Sequence, residues 1–483
     1  MTRLLLSAAH KSSGKTTITL GLCAAWAARG LAVQPFKKGP DYIDPMWLSR
    51  AAQRPCHNLD FYTMGRAEIL ATVGHYGADC DIALVEGNKG LYDGLDLDGS
   101  NSNAALAKLL QAPVVLVLDA RGMTRGIAPL ILGYQAFDPE VRIAGVILNQ
   151  LGGHRHESKL RAVIEHYTDV PVVGAVHRDP QLQIVERHLG LIPENEAAAA
   201  LAVIDRIGRR VASQVDLDQL AGLARSAPPL ANEALFAGAE PVTQPVRIGV
   251  ARDAAFGFYY PGDLVALERA GAQIVPIDTL AASRLPDIDG LFIGGGFPET
   301  KMAELEANES LRAHIKAAID DGLPVYAECG GLMYLCRQLS WGERRGRMVG
   351  AIPADVVMCE RPQGRGYVQL QETGDGLWES PGSGPIPAHE FHYSRLEGLP
   401  ADTRFAYRMV RGAGIDGVHD GIVYRNLLAC YAHMKDVQGN HWAARFVAFV
   451  RRCMQTRNPP EPAVEPTADT STNKHQYGVA KPS

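Results

Sequence analysis

The sequence lacks the features that mark nucleic-acid-binding, membrane and disordered proteins. Its 48 Lys and Arg residues face 53 Asp and Glu, for a net charge of -5, so there is no bulk basic field to attract a nucleic acid. No apolar run approaches the roughly 18 residues of a membrane span, and the best, residues 112–118, is only as long as a strand. With 21% charged and 46% hydrophobic residues, most of the chain is not disordered.

Cysteine pairs of the C-x-x-C kind are also missing. The eight cysteines are scattered along 483 residues, at positions 23, 56, 80, 329, 336, 359, 430 and 453. That spacing favours neither a disulfide framework nor a zinc ribbon. The first apolar stretch meets His10 and Lys11 too early to be the hydrophobic part of a secretory signal. We therefore expect a soluble, reduced, cytoplasmic protein of more than one domain, with neither a membrane nor a nucleic acid as partner.

The first half of the chain has the pattern of a parallel α/β domain, over residues 1–225. Apolar, β-branched runs predict strands at 3–9, 31–36, 82–85, 114–119, 143–149 and 170–176. Helical patterns lie between them, at 16–29, 103–110 and 157–167. Strands that are apolar almost throughout and alternate with helices predict a parallel sheet covered on both faces.

A second α/β domain is predicted over residues 246–454. It is separated from the first by a stretch at 226–245 that is rich in Pro and Ala and predicts a linker. The predicted strands of the second domain are 246–250, 273–277, 290–293 and 324–327, and its predicted helices are 262–270 and 301–320. Residues 455–483 contain Pro, Thr and Ser without an apolar face, which predicts a disordered tail.

A phosphate-binding loop follows the first predicted strand directly. The segment AHKSSGKTT ends in Gly14, Lys15, Thr16 and Thr17 and opens a helix. Backbone N–H groups at a helix N-terminus attract phosphate, the lysine reaches the β and γ oxygens, and the first threonine contacts Mg²⁺. The motif departs from G-x-x-x-x-G-K-[ST] only at Ala9, which replaces the first glycine. The loop therefore predicts a nucleotide site with Mg²⁺.

Two acidic loops follow other strands of the same predicted sheet. The segment KKGPDYIDP begins at Lys37, and the segment EGNKGLYDG begins at Glu86. Because ligands of an open parallel sheet sit at the carboxyl ends of its strands, these loops should converge with the phosphate-binding loop. Carboxylates there would hold Mg²⁺, and lysines would neutralise a transferring phosphoryl group. The acids are Asp41, Asp44, Glu86 and Asp93, and the lysines are Lys37, Lys38 and Lys89.

The second half contains a candidate thiol nucleophile. Cys329 stands between a predicted strand and a helix in AECGGLM, which is the arrangement of a nucleophile elbow, and a helix N-terminus favours the thiolate. Three consecutive glycines, residues 294–296, end another predicted strand and are suited to present backbone N–H groups to an oxyanion. Downstream, His433 can act as the base.

Two further histidines, His389 and His392, stand in HEFHYS and raise the question of a metal site. Their spacing of three differs from the i, i+4 helical pair of the zinc-protease motif. We therefore expect them to have a structural or substrate-orienting role.

A nucleotide site joined to a thiol hydrolase domain predicts one type of reaction, the amidation of a carboxylate. ATP activates a carboxylate as an acyl phosphate, and the second domain releases the ammonia that displaces phosphate to form an amide. The motifs resemble those of the cobyrinic acid a,c-diamide synthase family, shared with hydrogenobyrinic acid a,c-diamide synthase, over the chain up to about residue 455. The resemblance rests on the phosphate-binding loop, KKGPDYIDP, VEG with GLYDG, ERHLGL, AECGGLMY and HEFHYS.

The resemblance implies an α/β protein with a dethiobiotin synthetase-like P-loop domain followed by a class I glutamine amidotransferase domain. It implies ATP, Mg²⁺, glutamine and a corrinoid, amidated on its a and c acetate side chains, as small-molecule partners; a homodimer stays open. The implied nucleotide-binding residues are Gly14, Lys15, Thr16, Thr17 and Asn149. The implied metal ligands are Thr16, Asp41 and Glu86, and the implied catalytic residues are Cys329, His433, Asp41, Asp44, Lys37 and Asp93.

Departures from the family pattern leave alternatives open. Lys435 stands where most class I glutaminases carry a triad glutamate, so a Cys-His dyad is expected. The pair Asn88-Lys89 resembles loops of sirohaem-amidating relatives, which keeps sirohaem or a nickel sirohydrochlorin open as the macrocycle. Cobyric acid synthase is a further alternative among enzymes. A regulatory P-loop ATPase with a degenerate second domain is an alternative of another class, and the retained Cys329 argues against it.

Overall fold

The computed structural model describes residues 1–182, 186–187, 190–191, 200–230, 245–379, 382 and 384–457. Parts of three predicted segments lie outside these residues: 231–244 of the linker, 188–189 of the ERHLGL segment and 458–483 of the tail. Within the described chain two large β-sheets are flanked by helices. None of the helices described combines the length and the apolar character that a bilayer crossing requires.

The first sheet is formed by the first part of the chain and has seven parallel strands. They are β1 (Arg3–Ala8), β2 (Val33–Lys38), β3 (His57–Leu59), β4 (Ile82–Glu86), β5 (Val114–Asp119), β6 (Ile143–Leu151) and β7 (Val172–His177). Their order is β3-β2-β4-β1-β5-β6-β7. All side chains of β1, β2 and β4 are buried, as expected for strands covered on both faces. A two-stranded hairpin, β8 (Glu186–Arg187) with β9 (Gly190–Leu191), follows.

Helices cover both faces of this sheet. They are α1 (Lys15–Ala28), α2 (Ile43–Ala52), α3 (Arg66–Tyr76), α4 (Asn103–Leu110), α5 (Ile127–Phe137), α6 (His154–Tyr167), α7 (Ala200–Ala212) and α8 (Leu217–Arg225). Helix α7 packs closely against α1 because glycines face the contact: a Cβ on Gly21 would lie 2.3 Å from Val211, and one on Gly208 would lie 2.7 Å from Ala24. The helices that follow β7 therefore belong to the first core.

The second part of the chain forms a mixed nine-stranded sheet and smaller sheets. Its strands are β10 (Val246–Ala251), β11 (Phe256–Phe258), β12 (Ala272–Ile277), β13 (Gly290–Ile293), β14 (Gly295–Gly296), β15 (Val325–Glu328), β16 (Cys336–Trp341), β17 (Arg344–Arg347), β18 (Ile352–Met358), β19 (Gly364–Glu372), β20 (Ile386–His392), β21 (Ser394–Glu397), β22 (Arg404–Arg411), β23 (His419–Tyr424) and β24 (Leu427–Cys430). The large sheet has the order β12-β10-β13-β15-β24-β23-β22-β19-β20. Its strands are parallel from β12 to β24 and antiparallel beyond.

The helices of the second part include two that the sequence predicted as one. They are α9 (Pro261–Arg269), α10 (Met302–Ala307), α11 (Glu309–Asp320), α12 (Gly330–Leu335) and α13 (Trp442–Arg457). The single helix predicted at 301–320 is wrong, because the chain breaks at Asn308, whose side chain accepts a hydrogen bond from Leu311 N and so caps α11. The last helix continues to Arg457, past the predicted start of the tail.

Specific contacts join the two parts of the chain. Tyr62 stacks on Tyr367 of β19 with ring centroids 4.3 Å apart, and Tyr367 Oη donates to Asp60 Oδ1 at 2.7 Å. Lys435 Nζ donates to the backbone oxygen of Asn58 at 2.7 Å. These contacts place loops and strands of the second part over the carboxyl ends of β2 and β3.

Candidate active site

The phosphate-binding loop lies between β1 and α1. Gly14 has a φ of +84°, in the left-handed region that favours glycine, and a Cβ there would come within 2.2 Å of Asn149 Nδ2. Asn149 is buried on β6, and its Nδ2 donates to Ser13 O at 2.9 Å. The Asn149 side chain, which the family resemblance assigns to nucleotide binding, therefore holds the loop in place.

The departure at Ala9 requires no unusual backbone conformation. Among the described residues with positive φ, the loop contributes Ser12 and Gly14 but not Ala9. The Ala9 carbonyl accepts a hydrogen bond from Tyr134 Oη at 2.6 Å. Alanine therefore fits the first position of this loop.

The first turn of α1 carries the predicted phosphate-binding side chains. Lys15 is buried, and burial lowers its pKa while Glu86 acts in the opposite direction. Thr16 and Thr17 are half-buried. An anion bound at this helix N-terminus would favour the charged form of Lys15 and meet the positive end of the helix dipole.

Lys37, at the end of β2, lies at the centre of a cluster of carboxylates. Its Nζ lies 2.7 Å from Glu86 Oε1 and 3.7 Å from Asp41 Oδ2. It also contacts Asp44 Oδ2, which lies 3.2 Å from Thr16 Oγ1. Burial opposes the charge on Lys37, but the three acids outweigh it and raise its pKa well above the ordinary value. The loops after β1, β2 and β4 thus converge as the sequence predicts.

One oxygen of this cluster lacks a partner. Glu86 is fully buried, and its Oε2 has no hydrogen-bond partner among the described residues. A buried, unpaired carboxylate oxygen is unfavourable unless a cation satisfies it. Thr16 Oγ1 lies 2.8 Å from Glu86 Oε1, so hydroxyl and carboxylate oxygens are grouped as Mg²⁺ requires. The donor set fits this ion.

Asp41 and Asp93 lie at the edge of the cluster. Asp41 Oδ1 accepts from Ile43 N at 3.0 Å and so closes the first turn of α2. Burial, with the neighbouring Asp44, raises the pKa of Asp41 to about 7. Asp93 is exposed, and its Oδ2 accepts from Gly90 N at 2.9 Å. Both carboxylates face a cavity between the two parts of the chain.

Cys329 occupies a sharp turn between β15 and α12. Its φ of +47° is uncommon for a residue other than glycine and is typical of a nucleophile elbow. A Cβ on Gly330 would come within 2.9 Å of Gly296 N, and one on Gly331 within 2.1 Å of Ile293 O. Glycines therefore let the elbow lie directly against the glycine-rich loop, where an oxyanion would form.

His433 is held between a thiol and a carboxylate. Its Nδ1 lies 3.1 Å from Glu328 Oε2, and the imidazole also hydrogen-bonds Cys329. Glu328 Oε1 in turn accepts from Tyr326 Oη at 2.6 Å and from Met434 N at 3.1 Å. Burial opposes protonation of His433, but the bonds to Cys329 and Glu328 outweigh it and raise its pKa to about 10. The thiol of Cys329, the imidazole of His433 and the carboxylate of Glu328 therefore form a triad.

The sequence pattern does not reveal the role of Glu328. It predicts a Cys-His dyad, because Lys435 replaces the glutamate usual two residues after the histidine. In the structure Lys435 Nζ donates to Asn58 O, and burial lowers its pKa. The carboxylate comes instead from the residue before the nucleophile. One signal for Glu328 is present in the sequence. The apolar strand VYAE ends in an acid, and a buried carboxylate needs hydrogen-bond partners.

His389 and His392 lie on β20 beside the elbow. His389 exchanges backbone hydrogen bonds of 2.7 and 3.2 Å with His433, and the two rings stack at 4.9 Å. Burial, with the neighbouring His433, lowers the pKa of His389 well below the ordinary value. His392 stacks on Tyr431 at 3.8 Å, and its Nδ1 lies 2.8 Å from Ser394 O. These contacts fit the structural one of the two roles that the sequence predicts, and both side chains also line the cavity described below, so the substrate-orienting role stays a prediction.

One cavity of about 580 Å³ connects the two clusters. Asp41 and Asp93 line one end of it, and Cys329 and His433 line the other. Tyr42 lies between them, with its ring centroid 5.2 Å from that of His433. A small molecule released at the thiol can therefore reach the carboxylates within one cavity.

Both parts of the chain match known families. A family described as a CobB/CobQ-like glutamine amidotransferase domain matches residues 247–439, and one described as an AAA domain matches residues 2–185. A cobyrinate a,c-diamide synthase from Magnetococcus marinus is 47% identical over 93% of this chain and 97% of its own. One from Methanosarcina acetivorans is 43% identical over 95% and 97%, and one from Archaeoglobus fulgidus is 41% identical over 92% and 96%.

Proposed function

The chain belongs to the cobyrinate a,c-diamide synthase family, and on that premise we propose that it amidates the a and c acetate carboxylates of cobyrinic acid with ATP, Mg²⁺ and glutamine. The observation that carries the proposal is the cavity shared by Asp41, Asp93, Cys329 and His433. An activation site and a glutaminase site on one cavity suit a ligase that moves ammonia from one to the other.

The first site activates the carboxylate. A carboxylate oxygen of the macrocycle attacks the γ-phosphorus of ATP, ADP leaves, and an acyl phosphate forms. Lys15 and the N-terminus of α1 hold the phosphates in line for this attack. Bound Mg²⁺, held by Thr16 and Glu86, would neutralise charge on the phosphates. Lys37 keeps Asp44 and Glu86 in place by its contacts with both carboxylates.

The second site releases ammonia from glutamine. The Cys329 sulfur attacks the amide carbon, and His433 gives its proton to the leaving ammonia. Water then attacks the thioester, releases glutamate and restores the thiol. Glu328 accepts the Nδ1–H of His433 and so keeps the other ring nitrogen available to the sulfur.

The two half-reactions meet at the acyl phosphate. The nitrogen of ammonia attacks the carbonyl carbon, phosphate leaves with the electron pair of the broken C–O bond, and one proton is released. Asp93 is exposed to the cavity and can take that proton. Repetition on the second acetate yields the diamide.

A mass-spectrometric assay tests the proposal. The purified protein is incubated with ATP, Mg²⁺, glutamine and one macrocycle at a time: cobyrinic acid, hydrogenobyrinic acid, sirohaem or nickel sirohydrochlorin. We expect two amide increments on cobyrinic acid and none when ATP is left out. Hydrolysis of ATP without an amide on any macrocycle would contradict the ligase function.

Sirohaem is the second candidate substrate. Asn88 and Lys89, which resemble the loops of sirohaem-amidating relatives, line the cavity and would contact a macrocycle bound there. Turnover of sirohaem with cobyrinic acid untouched would transfer the assignment to this substrate.

A further inference from the structure

Basic side chains from both parts of the chain line the shared cavity. Arg365 lies on β19 and Arg411 ends β22, and both side chains are exposed where they line the cavity. Lys38, the last residue of β2, and Lys89, in the loop that follows β4, also line it. The cavity therefore has a cationic region in addition to the acids Asp41 and Asp93.

The contacts between the two parts of the chain fix the position of the arginines. Tyr367 follows Arg365 by two residues, stacks on Tyr62 and donates to Asp60. Tyr62 Oη donates to Val368 O at 3.1 Å. Burial raises the pKa of Tyr62, and the nearby Arg411 acts in the opposite direction. Both arginines thus lie near the Tyr62–Tyr367 contact, beside the first sheet.

Neither arginine forms an ion pair in the part of the chain that the structure describes. Arg365 lies over the ring of Phe391, 5.4 Å from its centroid. Other arginines near this sheet have carboxylate partners, as Arg445 does with Glu372 at 3.2 Å. Two unpaired guanidinium groups in one cavity are suited to external anions, which arginine binds through a planar pair of N–H groups.

The position of the cations favours the macrocycle over the nucleotide. The phosphate-binding residues Gly14, Lys15 and Thr16 are not among the described residues that line this cavity. The cavity lining includes the apolar side chains of Met358 and Phe391, and Phe391 lies beside Arg365. Apolar walls with separated cations suit an apolar ring that carries several carboxylates.

We propose that Arg365 and Arg411 bind peripheral carboxylates of the macrocycle that are not being amidated, and so direct the reacting acetate towards Asp41 and Asp93. The inference rests on the proposed function and deepens it. The amidotransferase domain then forms part of the acceptor site in addition to supplying ammonia.

Steady-state kinetics of the full chain with ammonium as nitrogen source test this proposal, because the glutaminase step is then bypassed. We expect Arg365→Ala and Arg411→Ala each to raise the KM for cobyrinic acid roughly 10-fold to 100-fold, the effect of losing a charged hydrogen-bond partner. The KM for ATP should not change. Arg365→Lys should recover part of the loss. Arg404→Ala, at the other end of β22 and exposed outside the cavity, is the matched control.

Each other outcome has a separate meaning. An unchanged KM for cobyrinic acid in both alanine variants would overturn the proposal. A raised KM for glutamine alone, measured in the glutaminase assay, would assign the arginines to the glutamine carboxylate and also overturn it. Wild-type protein that amidates no macrocycle would instead refute the proposed function, and this inference would fall with it.

Discussion

At the scale of single residues, Glu328 determines how His433 faces the thiol. We expect Glu328→Gln to lower the kcat of glutamine hydrolysis roughly 100-fold or more, because an amide cannot hold the imidazole as a carboxylate does. The KM for glutamine should change little. The pKa of His433, about 10 in the present site, should fall because one of the two groups that raise it is gone. Glutaminase rates measured across pH report both effects.

Two controls separate positioning from loss of structure. Amidation with ammonium should remain at the wild-type rate in Glu328→Gln, since the activation site does not contain this residue. Tyr326→Phe removes one hydrogen bond from Glu328 and leaves the carboxylate, so its glutaminase rate should fall less. Wild-type glutamine hydrolysis in Glu328→Gln would refute the triad.

At the scale of helices and strands, the local pattern was sufficient where a segment is mostly apolar. Helix α4 and strands β5 and β13 have the bounds that the sequence predicts. The antiparallel half of the second sheet was not predicted, because strands such as β19, with the sequence GRGYVQLQE, contain few apolar residues and are defined by their pairing.

The candidate site also contains some residues that a local sequence pattern predicts and some contacts that it does not. The acids and Cys329 could be predicted because each lies near a strand end with glycine or proline beside it. The contact of Glu328 with His433 joins residues 105 positions apart, and no local pattern contains it. The cavity between the two parts of the chain depends on contacts such as that of Tyr62 with Tyr367, which are likewise long-range.

The cap at Asn308 can be tested as an element of its own. Its Oδ1 accepts from Leu311 N, and its Nδ2 donates to Thr279 O and Ala282 O. We expect Asn308→Ala to lower the free energy of unfolding by about 2 kcal/mol, through loss of the cap and of two hydrogen bonds. Urea unfolding followed by circular dichroism measures this. Ser310→Ala, exposed in the first turn of α11, should be near neutral; an equal loss in both variants would contradict the cap.

At the scale of the whole molecule, the two sites should have separable roles. Loss of the glutaminase site should remove only one nitrogen source, whereas loss of the activation site should remove amidation from both. Cys329→Ala should abolish amidation with glutamine and spare amidation with ammonium, because only the ammonia source is lost. Lys15→Ala should remove both activities by orders of magnitude, because phosphoryl transfer depends on positioning and charge neutralisation. Product masses with each nitrogen source, with thermal unfolding as the folding control, check this. Loss of both activities in a folded Cys329→Ala variant would contradict the division.

The aromatic side chains that line the cavity between the two sites should retain ammonia. Tyr42 stacks on Phe258 at 5.4 Å and packs against Tyr260 at 4.5 Å, so it forms an apolar surface between Asp41 and His433. With ¹⁵N-amide glutamine and unlabelled ammonium both present, the wild-type product should carry mainly ¹⁵N. Tyr42→Ala opens this apolar surface, so we expect more unlabelled amide and more glutamine hydrolysed per amide formed. Tyr42→Phe keeps the ring and should behave as wild type. If the label in Tyr42→Ala equalled that of the wild type, ammonia would have to reach the acyl phosphate by a path that does not depend on this side chain.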